Sequence, residues 1–124
     1  MRIEGTFDID IKPQLNDQYP AGRMVFCKTY HGELAGEGLG QMLSKRQEQG
    51  PSVYCAVEEF SGTLAGKQGD FTLIHRGIMS AAGQTLDIQV LEGSGTDELT
   101  GLSGQLHITN DENGQHFYTF EYLL

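Results

Sequence analysis

The sequence predicts an all-β fold: one domain over residues 1–124, an eight-stranded antiparallel closed β-barrel. Three observations predict it. A short phrase returns along the chain as Gly32-Glu-Leu-Ala-Gly36, Gly62-Thr-Leu-Ala-Gly66 and Asp97-Glu-Leu-Thr-Gly101, each time after an apolar or alternating stretch. Glycine loses the most backbone freedom on ordering and takes sharp bends readily, so the phrase does not nucleate a helix and reads as a strand corner. Glycine also makes up 17 of the 124 residues against three prolines, about twice its usual share of roughly 7%. Such an excess without low-complexity repetition points to bends within an ordered sheet. Finally, the strand-like segments number eight, the count at which a closed barrel is just filled by side chains or holds one small ligand.

The opening strand is the clearest element. Ile3, Gly5, Phe7, Ile9 and Ile11 alternate with Arg2, Glu4, Thr6, Asp8, Asp10 and Lys12, a period of two with one polar face. A polar loop follows over 13–22, then a second strand over 23–31, which the first glycine phrase turns into a third near 34–43. Residues 44–51 contain Lys45, Arg46, Gln47, Glu48 and Gln49 and read as an exposed connection or a single helical turn. The fourth strand covers 52–60, and the second phrase leads into a fifth over 71–76. A sixth presents Leu86, Ile88 and Val90 to one side; the Gly93-Ser-Gly-Thr96 turn precedes a seventh near 99–109, and an eighth closes the chain over 116–123. Between the last two, Asn110-Asp-Glu-Asn-Gly114 is a hairpin turn by composition, because Asn-Gly tolerates the positive φ of tight hairpins.

A loop of two or four residues in that hairpin sets odd positions of strand seven against even positions of strand eight. One face then holds Leu102, Leu106, Ile108, Phe117, Thr119, Glu121 and Leu123. The other holds Ser103, Gln105, His107, Thr109, His116, Tyr118, Phe120 and Tyr122. Neither is a plain charged surface, so both are expected to contact protein or ligand, one lining the barrel and the other meeting a second subunit.

The formal net charge of −9 opposes binding to a phosphate backbone or an anionic bilayer. No stretch approaches the roughly 20 apolar residues that span a bilayer, and the start lacks an unbroken apolar leader segment. The expectation is a cytoplasmic protein that binds neither nucleic acid nor membrane. Cys27 and Cys55 fall on different strands and are expected as buried free thiols, since two cysteines make no disulfide framework.

With these elements in place, the chain resembles a family of small bacterial proteins known as a domain of unknown function, whose members are similar to the allene oxide cyclase barrel. The likeness runs from Gly5-Thr-Phe7 to His116-Phe-Tyr-Thr-Phe-Glu-Tyr122. Its most specific blocks are Tyr54-Cys-Ala-Val-Glu58, Gly62 to Gly66, Gly69-Asp-Phe71 to His75-Arg-Gly77, and Gly93 to Gly101. The resemblance implies an eight-stranded barrel with a cavity and an oligomeric state; it implies no reaction, and the cyclase's catalytic residues find no counterpart here.

Strand four sets Tyr54, Ala56, Glu58 and Phe60 on one face and Val53, Cys55, Val57 and Glu59 on the other, so one carboxylate faces inward. An inward carboxylate is costly unless paired. Glu58 is the candidate because it shares its face with Tyr54 and Phe60, the aromatic company of a ligand cavity. The plainer alternative sets it near the rim, solvated or paired with a lysine. His75 shares a parity with Phe71 and Leu73 on the next strand, within reach of Glu58, and a carboxylate that orients an imidazole makes a base near neutral pH. A structural histidine is the plainer alternative. Tyr118 belongs to an aromatic row with Phe120 and Tyr122, a cavity wall or a subunit interface. The four histidines show no close ligand pair on one element, so no metal or other cofactor is expected. Gly36-Glu-Gly-Leu-Gly40 lacks the strand-then-helix context and the lysine of a phosphate loop, and Gly93 to Thr96 reads as a connection rather than an anion nest.

The reading is a barrel that binds a small, largely apolar molecule in its interior, with Tyr54, Glu58, His75 and Tyr118 as candidate ligand contacts, in a homo-oligomer. The alternatives are an isomerase or cyclase using the same pocket, with catalytic residues unassigned, and a structural oligomer with a filled core.

Overall fold

In the computed structural model, which describes residues 1–15 and 18–124, eight antiparallel strands follow one another around a closed barrel. They are β1 (Arg2–Pro13), β2 (Gly22–Gly32), β3 (Leu34–Lys45), β4 (Ser52–Leu64), β5 (Lys67–Ser80), β6 (Gly83–Val90), β7 (Ser103–Asn110) and β8 (His116–Leu123). The barrel closes where Arg2 to Phe7 of β1 pair with Glu121 to His116 of β8. Within the polar connection expected over 13–22, residues 16 and 17 lie outside the described residues. No helix among the described residues is long and apolar enough to cross a membrane.

Two of the three glycine phrases are corners. Gly32, at φ +117°, turns β2 into β3, and Ala65 and Gly66, at φ +49° and +83°, make the two-residue turn between β4 and β5. The second turn lies three residues later than Gly62, which stays inside β4 opposite Gly69, so β5 starts at Lys67 and is longer than its apolar stretch suggests. The third phrase is a correction: Asp97–Leu99 forms a short 3-10 turn, and β7 begins only at Ser103. What the three phrases share is their leucine. Leu34 and Leu64 face each other across β3 and β4, Leu99 lies over the backbone of Gly69, and all three are completely buried in the core at one end of the barrel. The recurring phrase therefore builds a stopper.

The loop after β6 completes that end. Leu91 and Thr96 donate backbone N–H to Thr72 and Asp70 of β5, while the Ser94 and Thr96 hydroxyls accept the N–H groups of Thr72 and Asp70. The loop thus serves as β5's missing neighbour, and its hydroxyls are occupied by the sheet. Tyr118 does similar work for the first corner. Its hydroxyl accepts the N–H of Leu34 and lies 3.0 Å from the carbonyl of His31 and 3.1 Å from that of Leu34. The close approach requires Gly5, because a Cβ there would overlap the phenol.

The last hairpin is a second correction. Asn110 pairs with His116, leaving a loop of five residues held by Asp111, whose side chain accepts the N–H groups of Asn113 and Gln115. An odd loop reverses the parity expected for two or four. Leu106 and Ile108 therefore share the inner face with Tyr118, Phe120 and Tyr122, and the outer face carries Ser103, Gln105, His107, Thr109, Phe117, Thr119, Glu121 and Leu123. The aromatic row is interior wall, not a subunit interface. Both cysteines point outward as free thiols, Cys27 half-buried and Cys55 exposed, and not into the core as expected.

Candidate functional site

Above the leucine stopper the interior changes character. Across β2, β3, β4 and β5 the inward positions carry Lys28, Gly38, Glu58 and His75, three of them polar in a barrel otherwise packed with aromatic and aliphatic side chains. Glu58 is completely buried at their centre. Its Oε1 accepts from Lys28 Nζ at 3.1 Å and meets His75 Nε2 at 2.8 Å; its Oε2 accepts the Tyr30 hydroxyl at 2.5 Å. Gly38 makes room: a Cβ at that position would fall on the Glu58 carboxylate.

The electrostatics follow from these contacts. Burial pushes the Glu58 carboxyl up, but the His75 hydrogen bond, the Lys28 and His75 charges and the Tyr30 hydroxyl outweigh it and hold it below its ordinary value. Facing an ionised carboxylate, His75 Nε2 carries the hydrogen and donates it to Oε1. Burial lowers the Lys28 ammonium, and Glu58 only partly restores it. Aromatic faces supply the rest of its solvation: Nζ lies 5.0, 5.4 and 5.8 Å from the ring centres of Phe7, Phe26 and Tyr30. The Tyr30 phenol is pushed well up, by burial first and then by the neighbouring carboxylate.

Lys28, Phe26 and His75 form the floor of a cup of about 370 Å³ that opens at the barrel end opposite the stopper. Ile9, Ile11, Met24, Met42, Leu86 and Ile108 contribute apolar wall, and Tyr54 stands near the rim with its ring against Gly77. Phe26 uses Gly40 in the same way. Gly38 and Gly40, two of the three glycines in Gly36-Glu-Gly-Leu-Gly40, thus mark cavities in the strand that Glu58 and Phe26 fill from neighbouring strands.

Of the four residues singled out in the sequence, the fold joins Glu58 to His75 and sets Tyr54 on the same cup. Tyr118 sits at the closed end, with its hydroxyl bound to backbone. The alternative of a carboxylate paired with a lysine holds in part: the lysine is there, deep in the barrel instead of at the rim. Lys28 and Tyr30 escaped the sequence reading. Their signal was present in Met24, Phe26, Lys28 and Tyr30, an alternating face whose other members are apolar or aromatic. Elsewhere His31 pairs with exposed Asp8 at 3.0 Å, and His116 lies 2.6 Å from the Asn110 side-chain oxygen and stacks on Phe7. Among the described residues, no three metal-ligating side chains gather at one point.

Comparison with known proteins agrees with this architecture. A crystal structure of a protein of unknown function from Shewanella oneidensis MR-1, described as a member of the DUF3224 family, superposes with a TM-score of 0.91 at 39% identity, covering 100% of this chain and 96% of that one. No curated protein matches. The family model described as "Protein of unknown function (DUF3224)" matches residues 3–122, and the chain belongs to that family.

Proposed function

We propose that this barrel is a binding protein for a small, largely apolar molecule, held in the cup above Lys28 and His75. The observation that carries the reading is the asymmetry of the interior: one end is stoppered by buried leucines, while the other keeps an open volume of about 370 Å³ with apolar walls and a polar floor. That size and lining are those of small-molecule sites. The isomerase or cyclase alternative, using the same pocket, needs a group free to exchange a proton. Glu58 is held ionised by three donors and lies behind Lys28 and His75, which favours a positioning role for this carboxylate over proton exchange. The unpaired thiols Cys27 and Cys55 support a reducing, cytoplasmic setting.

The test is fluorescence titration with a neutral naphthyl dye, comparing the wild type with Met42→Trp and Ala56→Phe, which fill the cup from β3 and β4. Saturable binding that both variants weaken at least tenfold, with unchanged circular dichroism, supports the reading. Equal binding by all three proteins overturns it.

A second observation supports the homo-oligomer, with a second copy of this chain as occupant. On the outer face Leu39, Leu43 and Val57 are 58%, 53% and 51% exposed. Val25, Gln41, Val57 and Ile74 are neighbours across β2 to β5, flanked on one side by Leu39 and Glu59 and on the other by Leu43, Cys55 and Arg76. A two-fold axis along the central row lays Leu39 of one copy over Leu43 of the other and brings Glu59 beside Arg76 twice, the self-complementarity an isologous contact needs. Sedimentation equilibrium at micromolar concentration is expected to give a dimer that Val57→Lys dissociates; a monomeric wild type refutes this interface.

A further inference from the structure

The cup's charge is opposite to that of the chain. The sequence carries 17 acidic side chains against eight basic ones, yet among the described residues no aspartate or glutamate lines the cup, while Lys28, Lys45 and Arg46 do. The two levels of cation differ. At the floor, Lys28 and His75 are both engaged by Glu58, so that cluster is compensated internally. At the mouth, Lys45 ends β3 and Arg46 follows it; both are exposed and neither enters an ion pair among the described residues. The walls between mouth and floor are apolar.

We propose that the ligand is an apolar molecule bearing a single carboxylate, oriented with its body down the barrel and its carboxylate outward against Lys45 and Arg46. The proposal rests on the binding reading above and specifies its ligand class. The orientation follows from desolvation: a carboxylate pushed to the floor meets a lysine and a histidine already committed to Glu58 and must stay beside that buried negative charge. At the mouth the same group keeps part of its water and gains an ammonium and a guanidinium, the latter able to take two carboxylate oxygens at once. A rim positive in an otherwise acidic protein also draws anions to the opening selectively.

The probes are three naphthalenes of one shape: naphthalene-2-carboxylate, 2-naphthylmethanol and 2-naphthylmethylamine, titrated at pH 7.5 into the wild type and into the double variant Lys45→Gln/Arg46→Gln. Both positions are exposed, so the variant should melt within a few degrees of wild type. Expected is a carboxylate affinity about five- to tenfold above the alcohol at low salt, the scale of two partly exposed charge contacts, with the amine weakest. The preference should shrink at 0.5 M salt and vanish in the double variant. Equal affinities for the three, or a preference for the amine, overturn the carboxylate inference and leave the cup a ligand site. A carboxylate preference that survives in the double variant overturns the outward orientation. Failure of all three probes to bind counts against the binding reading itself.

Discussion

Replacing Glu58 by glutamine tests the centre of the barrel most directly. The side chain keeps its shape but loses its charge, leaving the Lys28 ammonium, 3% exposed, among aromatic rings without a counter-ion. Removing one partner of a buried ion pair costs about 3–5 kcal/mol, and solvent screening offers no discount here because Glu58 is fully buried. For a domain of this size that is roughly a 10–20 °C fall in Tm. The pH dependence carries the sign. Glu58 has a depressed folded pKa, so wild-type stability from this residue is complete above the unfolded value of about 4.3 and is lost as pH falls through the folded one; Glu58→Gln lacks that acid limb. Lys28 is depressed as well, so its ammonium costs stability at neutral pH, and that cost lifts as pH rises through its folded value towards about 10.4. Without Glu58 the two influences that raise Lys28 are gone and the window widens. Urea melts should show Glu58→Gln recovering stability between pH 7 and about 9.5, with wild type rising less. Adding Lys28→Met to Glu58→Gln should bring stability back to within about 2 kcal/mol of wild type, because two neutral groups leave no orphaned charge. A single variant that costs under about 1 kcal/mol at every pH would refute the buried charge cluster.

The remaining predictions concern parts that frame the cup. Tyr118→Phe removes a hydroxyl bound to Leu34 and His31 backbone and is expected to cost about 1–3 kcal/mol while leaving naphthyl-dye affinity unchanged, which urea melts and titration check together. Gly38→Ala drives a methyl into a carboxylate fixed by three donors. Such overpacking costs about 1–3 kcal/mol, read as a lower urea midpoint. The narrowest join in the barrel is between β6 and β7, where the ladder is the single pair Gln89 and Gln105, against thirteen residues of β4 in register with β5. Hydrogen exchange by mass spectrometry should show the amides around those two glutamines opening before any in β4.

Where the sequence was legible, the reason was a two-residue period against an unbroken ladder. β1 alternates Ile3, Phe7 and Ile9 against charged neighbours, and the inward set is the one that reading selects. The same period separated Tyr54, Ala56, Glu58 and Phe60 from Val53, Cys55, Val57 and Glu59 on β4, and aromatic company favoured the first set, which faces inward. It failed at the last hairpin, because a parity argument depends on loop length, and Asp111 stabilises five residues where Asn-Gly composition suggested two or four. The third glycine phrase misled for a related reason. Asp97 and Gly101 adopt positive φ as the other turns do, but Asp97 opens a 3-10 turn that buries Leu99 and Gly101 lies just beyond it. Local bending was readable; what it closed was not.

The candidate site divides along the same line. One strand supplied Glu58 and the next His75, and adjacency in sequence order made their meeting legible. Lys28 comes from a strand that does not border β4, and it reaches the carboxylate across β3 because Gly38 is empty of side chain. Nothing in the local pattern of β2 says that its neighbour lacks a side chain at that level. The two facts belong together, since an inward lysine in an apolar wall is tolerable only with a partner, and an inward carboxylate two strands away needs the glycine between them to be reached. Read jointly, a lysine, a glycine and a glutamate on the inward faces of three successive strands specify one buried ion pair. That pair sets the cup's floor, because it stands at the level where the aromatic packing above the stopper gives way to open volume.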